Sequence, residues 1–244
     1  MTEHAIRNLF RMITDDQRNL DARLESASLL STMPDCDDAC VSLLDVLPPT
    51  SLVGRSYREV LVTSGASTDA LCVMLWEPSR PLQRAAVQRL GELGDPSALP
   101  DLISLLGHQL ASTERRDREL LLMSLDALGS CWVPGAVDAP LAVAEAVGDQ
   151  DSTVRTVACA TLRRMGADAV RASDRLLQLL SSDNQQIRFT VAELLPELTP
   201  PDTYVPWMVR LLRDESDELI RWVARYELSR LPCPTPDVQA ALAA

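Results

Sequence analysis

The sequence predicts an all-α fold, an α-solenoid of about seven stacked helical hairpins, and three observations predict it. The chain is 46% hydrophobic but only 4% aromatic, so its apolar content is mostly Leu, Ala and Val, a helix-leaning mixture. One pattern of residues recurs along the whole chain at intervals of 29 to 37 residues, the range of helical repeat units. Each occurrence reads as a capped amphipathic helix with a stop signal, and a second apolar segment separates it from the next. No run of 18 apolar residues occurs, so no transmembrane helix is expected.

The repeat is anchored on Arg23, Gly54, Gln83, Arg118, Arg155, Arg188 and Arg221. Four positions earlier stand Asn19, Thr50, Ser79, Glu114, Asp151, Asn184 and Asp217. All but Glu114, which follows Thr113, are N-cap types whose side chains accept from free N–H groups of the first turn, worth about 1 kcal/mol each. Seven positions after the anchors stand Leu30, Leu61, Leu90, Leu125, Leu162, Leu195 and Leu228. Four positions further the series is Pro34, Gly65, Gly94, Gly129, Gly166, Thr199 and Pro232, mostly residues that end helices.

The intervening helices are expected near 3–13, 38–47, 68–76, 97–106, 137–147, 169–180 and 202–212. A lone hairpin cannot bury its own apolar face, so the hairpins must stack, here into a single domain over 1–244. Seven layers would span roughly 60–70 Å. The repeats over 1–78 are degenerate, those over 79–232 are clearer, and 233–244 reads as a terminal cap.

The segments LQRAAVQRLGELGDPSALPDLISLL (82–106) and DSTVRTVACATLRRMG (151–166) carry a resemblance. So do NQQIRFTVAELLPEL (184–198) and DELIRWVARYEL (217–228). The pattern resembles the HEAT-repeat family, including its short bacterial phycobilisome-lyase-like version, and implies a HEAT-like superhelix. Gly54 and Gln83 depart from the family's Arg at the anchor. If that Arg builds an inter-repeat polar ladder here, the ladder is expected to break between units one and four. The fold hosts many activities, so the resemblance says little about function.

The net charge is −12, which opposes a nucleic-acid backbone as main partner and favours a partner with a basic surface. All 23 positive residues are Arg, so Schiff-base chemistry and a P-loop lysine are excluded. The six cysteines form no CxxC pair and read as reduced, mostly small core residues. His4 reads as solvated and His108 as capping a helix end beside Gly107. Neither belongs to the His-Glu pairs that the related di-iron hydroxylases carry. No HExxH, GxSxG or GxGxxG motif occurs. The acids near Asp35, Asp37 and Asp38, near Asp149 and Asp151, and from Asp214 to Glu218 fit local capping at helix N-termini rather than a metal site. The expectation is a non-enzymatic protein with no cofactor and no metal.

In the family it resembles, the capped helix lines the concave face. Positions one and five after the anchor then point away from the buried stripe. These slots hold Arg84 and Gln88, Glu119 and Met123, Phe189 and Glu193, and Trp222 and Tyr226, with Arg225 alongside. Leu24 and Ser28, Arg55 and Glu59, and Thr156 and Ala160 complete the series. Three of the chain's nine aromatics fall in the slots of the last two units, and Trp, Tyr and Arg are enriched at binding hot spots. Two readings stay open: the rings face a partner, or they pack against the adjacent repeat. Trp76 and Trp207 are expected in the core. Trp132 is read as a loop contact or as a lid over the core. The stretch 107–117, with Arg115, Arg116 and Arg118, is expected as the longest insertion between helices.

The expected function is a cytoplasmic protein–protein interaction module, a scaffold, adaptor or inhibitor that binds through its concave face. The absence of a secretory signal pattern at the N-terminus makes the cytoplasm the default. An immunity-type inhibitor of a basic toxin is one alternative. A subunit of a phycobilin-lyase-like enzyme or a HEAT-like DNA glycosylase is the other.

Overall fold

The computed structural model describes residues 2–33, 35–65, 67–112 and 116–243. Its helices are α1 (Thr2–Thr14), α2 (Leu20–Ser31), α3 (Asp37–Val46), α4 (Leu52–Ser64), α5 (Thr68–Met74), α6 (Arg80–Leu93), α7 (Leu99–Ala111) and α8 (Arg118–Cys131). They continue with α9 (Asp138–Val147), α10 (Ser152–Met165), α11 (Ser173–Leu179), α12 (Gln185–Leu198), α13 (Pro201–Asp214), α14 (Glu218–Ser229) and α15 (Pro236–Ala243). Short 3-10 segments at Pro96–Ala98 and Gly166–Ala172 lead into α7 and α11, and no strand occurs among the described residues. Consecutive helices follow one another as seven pairs, with α15 after the last, and α1–α2, α5–α6, α9–α10, α11–α12 and α13–α14 pack directly as hairpins.

The chain divides into two compact units, Met1–Gln109 with Asp117–Trp132, and Leu110–Arg116 with Val133–Ala244. In the first, α2, α4, α6 and α8 pack side by side, and α1, α3 and α5 form a second layer. In the second, α10, α12 and α14 form one layer against α9, α11 and α13, and α15 packs on α13 and α14. Each unit is a short all-α solenoid. All seven repeat leucines, from Leu30 to Leu228, are buried. Asn19, Asp151, Asn184 and Asp217 cap their helices as the spacing predicts, each accepting from the N–H two residues on.

What the repeat anchor does is clearest in the second unit. The Arg155 guanidinium donates to the carbonyls of Asp149 and Gln150 at 2.9 and 3.0 Å. Arg188 donates to Ser182 and Asp183, and Arg221 to Glu215 and Ser216, at the same offsets. Each arginine thus satisfies carbonyls of the turn that precedes its own helix, where no helical N–H can reach. The first unit reaches the same end by other means. Arg23 Nε donates to Ile13 O, and Gln83 Nε2 to Leu75 O. In the second hairpin Arg58 takes over, donating to Leu47 O and Gly54 O and pairing with Glu77 at 2.6 Å. These carbonyl bonds run within single helix pairs and do not bear on the expected break in an inter-repeat ladder; at Gly54 and Gln83, where the anchor is not Arg, the turn carbonyls are met by Arg58 and by the Gln83 amide. Gly54 cannot carry the anchor, because a Cβ there would fall on the Pro48 carbonyl oxygen.

The fourth hairpin differs from its expected register. Asp117 is the N-cap of α8, accepting from Leu120 N, so the anchor position falls on buried Leu121 and not on Arg118. Gly129 then lies inside α8, which ends at Cys131 with Trp132 as its C-cap, two residues before Pro134. The expected cap at Thr113 and Glu114, the Arg115 of the basic cluster and the stop at Pro34 lie outside the described residues. In the second hairpin Ser51, not Thr50, caps α4. Helix α7 continues through Gly107 to Ala111, so His108 sits in its last turn and caps nothing. Residues 107–111 of the expected insertion are therefore helix. Asp149 and Glu215, two of the clustered acids, accept locally from the Asp151 and Asp217 N–H groups and also pair with distant arginines, Asp149 with Arg116 at 2.6 Å and Glu215 with Arg188 at 2.8 Å.

Two outcomes follow from this framework. Restoring the repeat residue at the second anchor, Gly54→Arg, is expected to lower stability by at least about 2 kcal/mol in urea unfolding, because of the clash with Pro48. A gain in stability would contradict that account. The Arg188 guanidinium holds the Glu215 carboxyl below the usual carboxylate range. That contribution is full above the unfolded value, about 4.3, and is lost as pH falls through the lower folded value. Glu215→Gln should therefore cost about 1–3 kcal/mol near neutral pH. The gap to the native protein should close as unfolding is measured at progressively lower pH.

Candidate functional site

Helix α14 is apolar on two faces. Ile220, Val223, Ala224 and Leu228 are buried against α12 and α13. On the opposite side Leu219, Trp222 and Tyr226 recur at helical spacing and are 62%, 60% and 46% exposed. The Trp222 and Tyr226 rings stack on each other, with centroids 5.4 Å apart and planes 13° from parallel. The Arg230 guanidinium lies 5.3 Å from the centre of the Tyr226 ring. Arg225, also exposed, reaches the Leu242 carbonyl of α15 at 3.5 Å. An amphipathic helix with one neighbouring layer needs a single apolar stripe, so the second stripe is not required by packing. Leu219 escaped the sequence reading, although its three-residue spacing from Trp222 was available as a signal.

The same face continues over α12 and α10. Phe189, half-buried, and Thr156 occupy the position of Trp222 in those helices, and Glu193 and Ala160 that of Tyr226. Partial burial pushes the Glu193 carboxyl above its ordinary range, with Arg163 opposing and Glu197 adding to the shift. Arg163 and Glu197 join α10 to α12 at 2.5 Å along the rim. Five of the expected binding residues, Phe189, Glu193, Trp222, Arg225 and Tyr226, therefore lie on two packed helices of one unit.

The other four do not form such a face. Arg84 is half-buried and binds both carboxylate oxygens of Asp117 at 2.9 Å, fastening α6 to the start of α8. Glu119 also pairs with Arg84. With α8 shifted by three residues, Glu119 stands in its first turn and half-buried Met123 no longer falls in the expected slot. Gln88 is exposed and donates to Glu92.

The remaining tryptophans correct two expectations. Trp76 is 48% exposed, because α5 ends at Met74 and leaves the indole in the turn beyond it. Trp207 is half-buried under Arg210, at 5.5 Å. Trp132 is half-buried, with its indole N–H buried and without an acceptor among the described residues. Four of the buried thiols are poor nucleophiles. Burial pushes Cys36 and Cys72 up to about 12, and Cys131 and Cys159 up to about 11. His4 is exposed on α1, as expected.

Residues 82–108 match the family model described as PBS lyase HEAT-like repeat, a stretch that covers most of α6 and α7. No curated protein matches the chain. Among solved structures, the chain is similar to the complex of CpcE and CpcF of phycocyanin lyase from Nostoc sp. PCC7120. Identity is 20%, coverage 100% of this chain and 94% of that chain, and the TM-score 0.42. It is similar to an archaeal HEAT-like repeats protein from Thermococcus onnurineus NA1 at 15% identity, with 97% and 98% coverage and a TM-score of 0.40. It is also similar to human deoxyhypusine hydroxylase at 20% identity, with 99% and 89% coverage and a TM-score of 0.38.

Five of the six cysteines are buried and only Cys233 is exposed. A thiol reagent should therefore modify one site per native chain quickly, and all six only after unfolding. Rapid native labelling at Cys36 or Cys72 would show a thiol available for chemistry.

Proposed function

We propose that this HEAT-like repeat protein is a non-enzymatic interaction scaffold that binds another protein through the exposed face of α12 and α14. The second apolar stripe on α14, Leu219, Trp222 and Tyr226, carries the reading. Large apolar side chains left in water beside buried neighbours of the same helix mark a surface completed by a partner. The residue types are those that dominate binding energy, with Arg225 and Arg230 at the edge. The net charge of −12 favours a partner with a basic surface and fast encounter with it. The buried thiols Cys36 and Cys72, held neutral by burial, fit a protein that binds rather than reacts.

The test is a double variant, Trp222→Ala with Tyr226→Ala. At exposed positions it should change stability by no more than about 0.5 kcal/mol. A protein captured by the native chain from its own cells should be identified, and its affinity for the variant should fall by more than about 1 kcal/mol. Its association rate should drop as salt rises. If the variant instead loses about 3–5 kcal/mol of stability, the rings fill the structure and the proposal fails. Undiminished binding by the still-folded variant also ends it.

A further inference from the structure

A second surface lies in the first unit, on the layer of α3, α5 and α7, away from the repeat face of the capped helices. It is a groove of about 590 Å³. Its apolar part is Val73 and the Trp76 indole, 42% and 48% exposed. Its polar part includes Asp38, Asp69 and Asp101, one carboxylate each from α3, α5 and α7. None of its lining residues is basic.

Acids in a first helical turn are often explained by the helix dipole. At α5 and at the segment leading into α7 the capping is done by others, while α3 starts at Cys36 without a side-chain cap. Ser67 caps α5 by accepting from Ala70 N, and its hydroxyl donates to Asp37. Asp95 accepts from Ser97 N and from the Thr68 hydroxyl. The exposed carboxylates of Asp38 and Asp69 are left over beside the groove. Their field is felt at its wall: after burial itself, Asp101 and Asp69 are the acids that raise the Cys72 thiol. His108 meets the Trp76 ring edge-on, with centroids 5.9 Å apart, which holds the indole in place outside the core.

An exposed indole bordered by carboxylates suits one chemical group above others. A guanidinium stacks on an aromatic plane through its own flat face and offers N–H groups at its edge to carboxylates. Neighbouring helices of a layer lie roughly 9 Å apart, about the spacing of side chains three apart on one face of an extended chain of the polyproline II type, which has three residues per turn. We infer that this groove binds an extended segment of a partner protein that carries arginines, one over Trp76 and another between Asp38 and Asp69.

This inference stands apart from the α12 and α14 face and is tested separately. The probe is a capped peptide with two arginines separated by two glycines, and its control replaces both arginines by neutral citrulline. Binding is followed by the Trp76 indole N–H resonance, assigned by its absence from Trp76→Leu. The arginine peptide should shift that resonance and the citrulline peptide should not. The double variant Asp38→Asn, Asp69→Asn, at exposed positions, should raise Kd at least about fivefold, and Trp76→Leu should do the same. The Trp222→Ala, Tyr226→Ala variant should bind the peptide as the native protein does. No shift up to about 1 mM peptide, an equal response to citrulline, or unchanged affinity in the groove variants would overturn the inference. Self-association that these variants abolish would assign the groove to a second copy and overturn it as well.

Discussion

The last carbonyls of a helix and of the turn after it have no helical donor, and in a stacked hairpin they lie against the next helix rather than in water. Six of the seven helix pairs meet that need with a side chain of the following helix, and the fourth, with buried Leu121 at its anchor position, departs from the pattern. In the second unit an arginine one turn into the next helix supplies two charge-assisted hydrogen bonds to the turn, each worth about 1.5–3 kcal/mol. The N-cap residue four positions earlier fixes the start of the same helix. Together they set where one helix ends and the next begins, and so place the buried leucine and the outward positions. The first unit shows that the carbonyls, not the arginine, are the constraint. Gln83 meets it with an amide, and Arg58 meets it from one turn further along where Gly54 leaves no room for a side chain.

This explains which parts were legible beforehand. Caps, anchors and leucines are local, and α6, α10 and α12 run from the residue after the expected cap to the residue before the expected stop. The fourth hairpin was misread because Arg118 satisfied the spacing by coincidence, while the true cap, Asp117, sat beside it. A glycine costs a helix about 1 kcal/mol, which made Gly107 look like an end. The burial of Gln109 and its bond to Asp117 N carry α7 onward instead. Exposure was the least legible property. Periodicity tells which face of a helix turns inward but not how far the neighbours cover it. Trp76 was placed in the core on its apolar pattern, yet α5 is only seven residues long and the indole falls beyond its end.

The two outlying aromatic surfaces differ in what they offer. The groove near Trp76 offers charge with a single ring, which gives orientation and selectivity for a cation more than area. The α14 stripe offers area. On that helix Val223 and Ala224 already fill the space toward the neighbours, at 4% and 0% exposure. A filler role for Trp222 would duplicate them while leaving more than half of the indole in water. Stacking on Tyr226 removes part of each ring from solvent and holds both in one geometry before any partner arrives. Side chains with only two rotatable bonds, already fixed against each other, lose little freedom on binding. The cost of keeping them exposed is borne by the free protein. It becomes favourable only when another surface covers the rings, which is why the stripe is read as half of an interface.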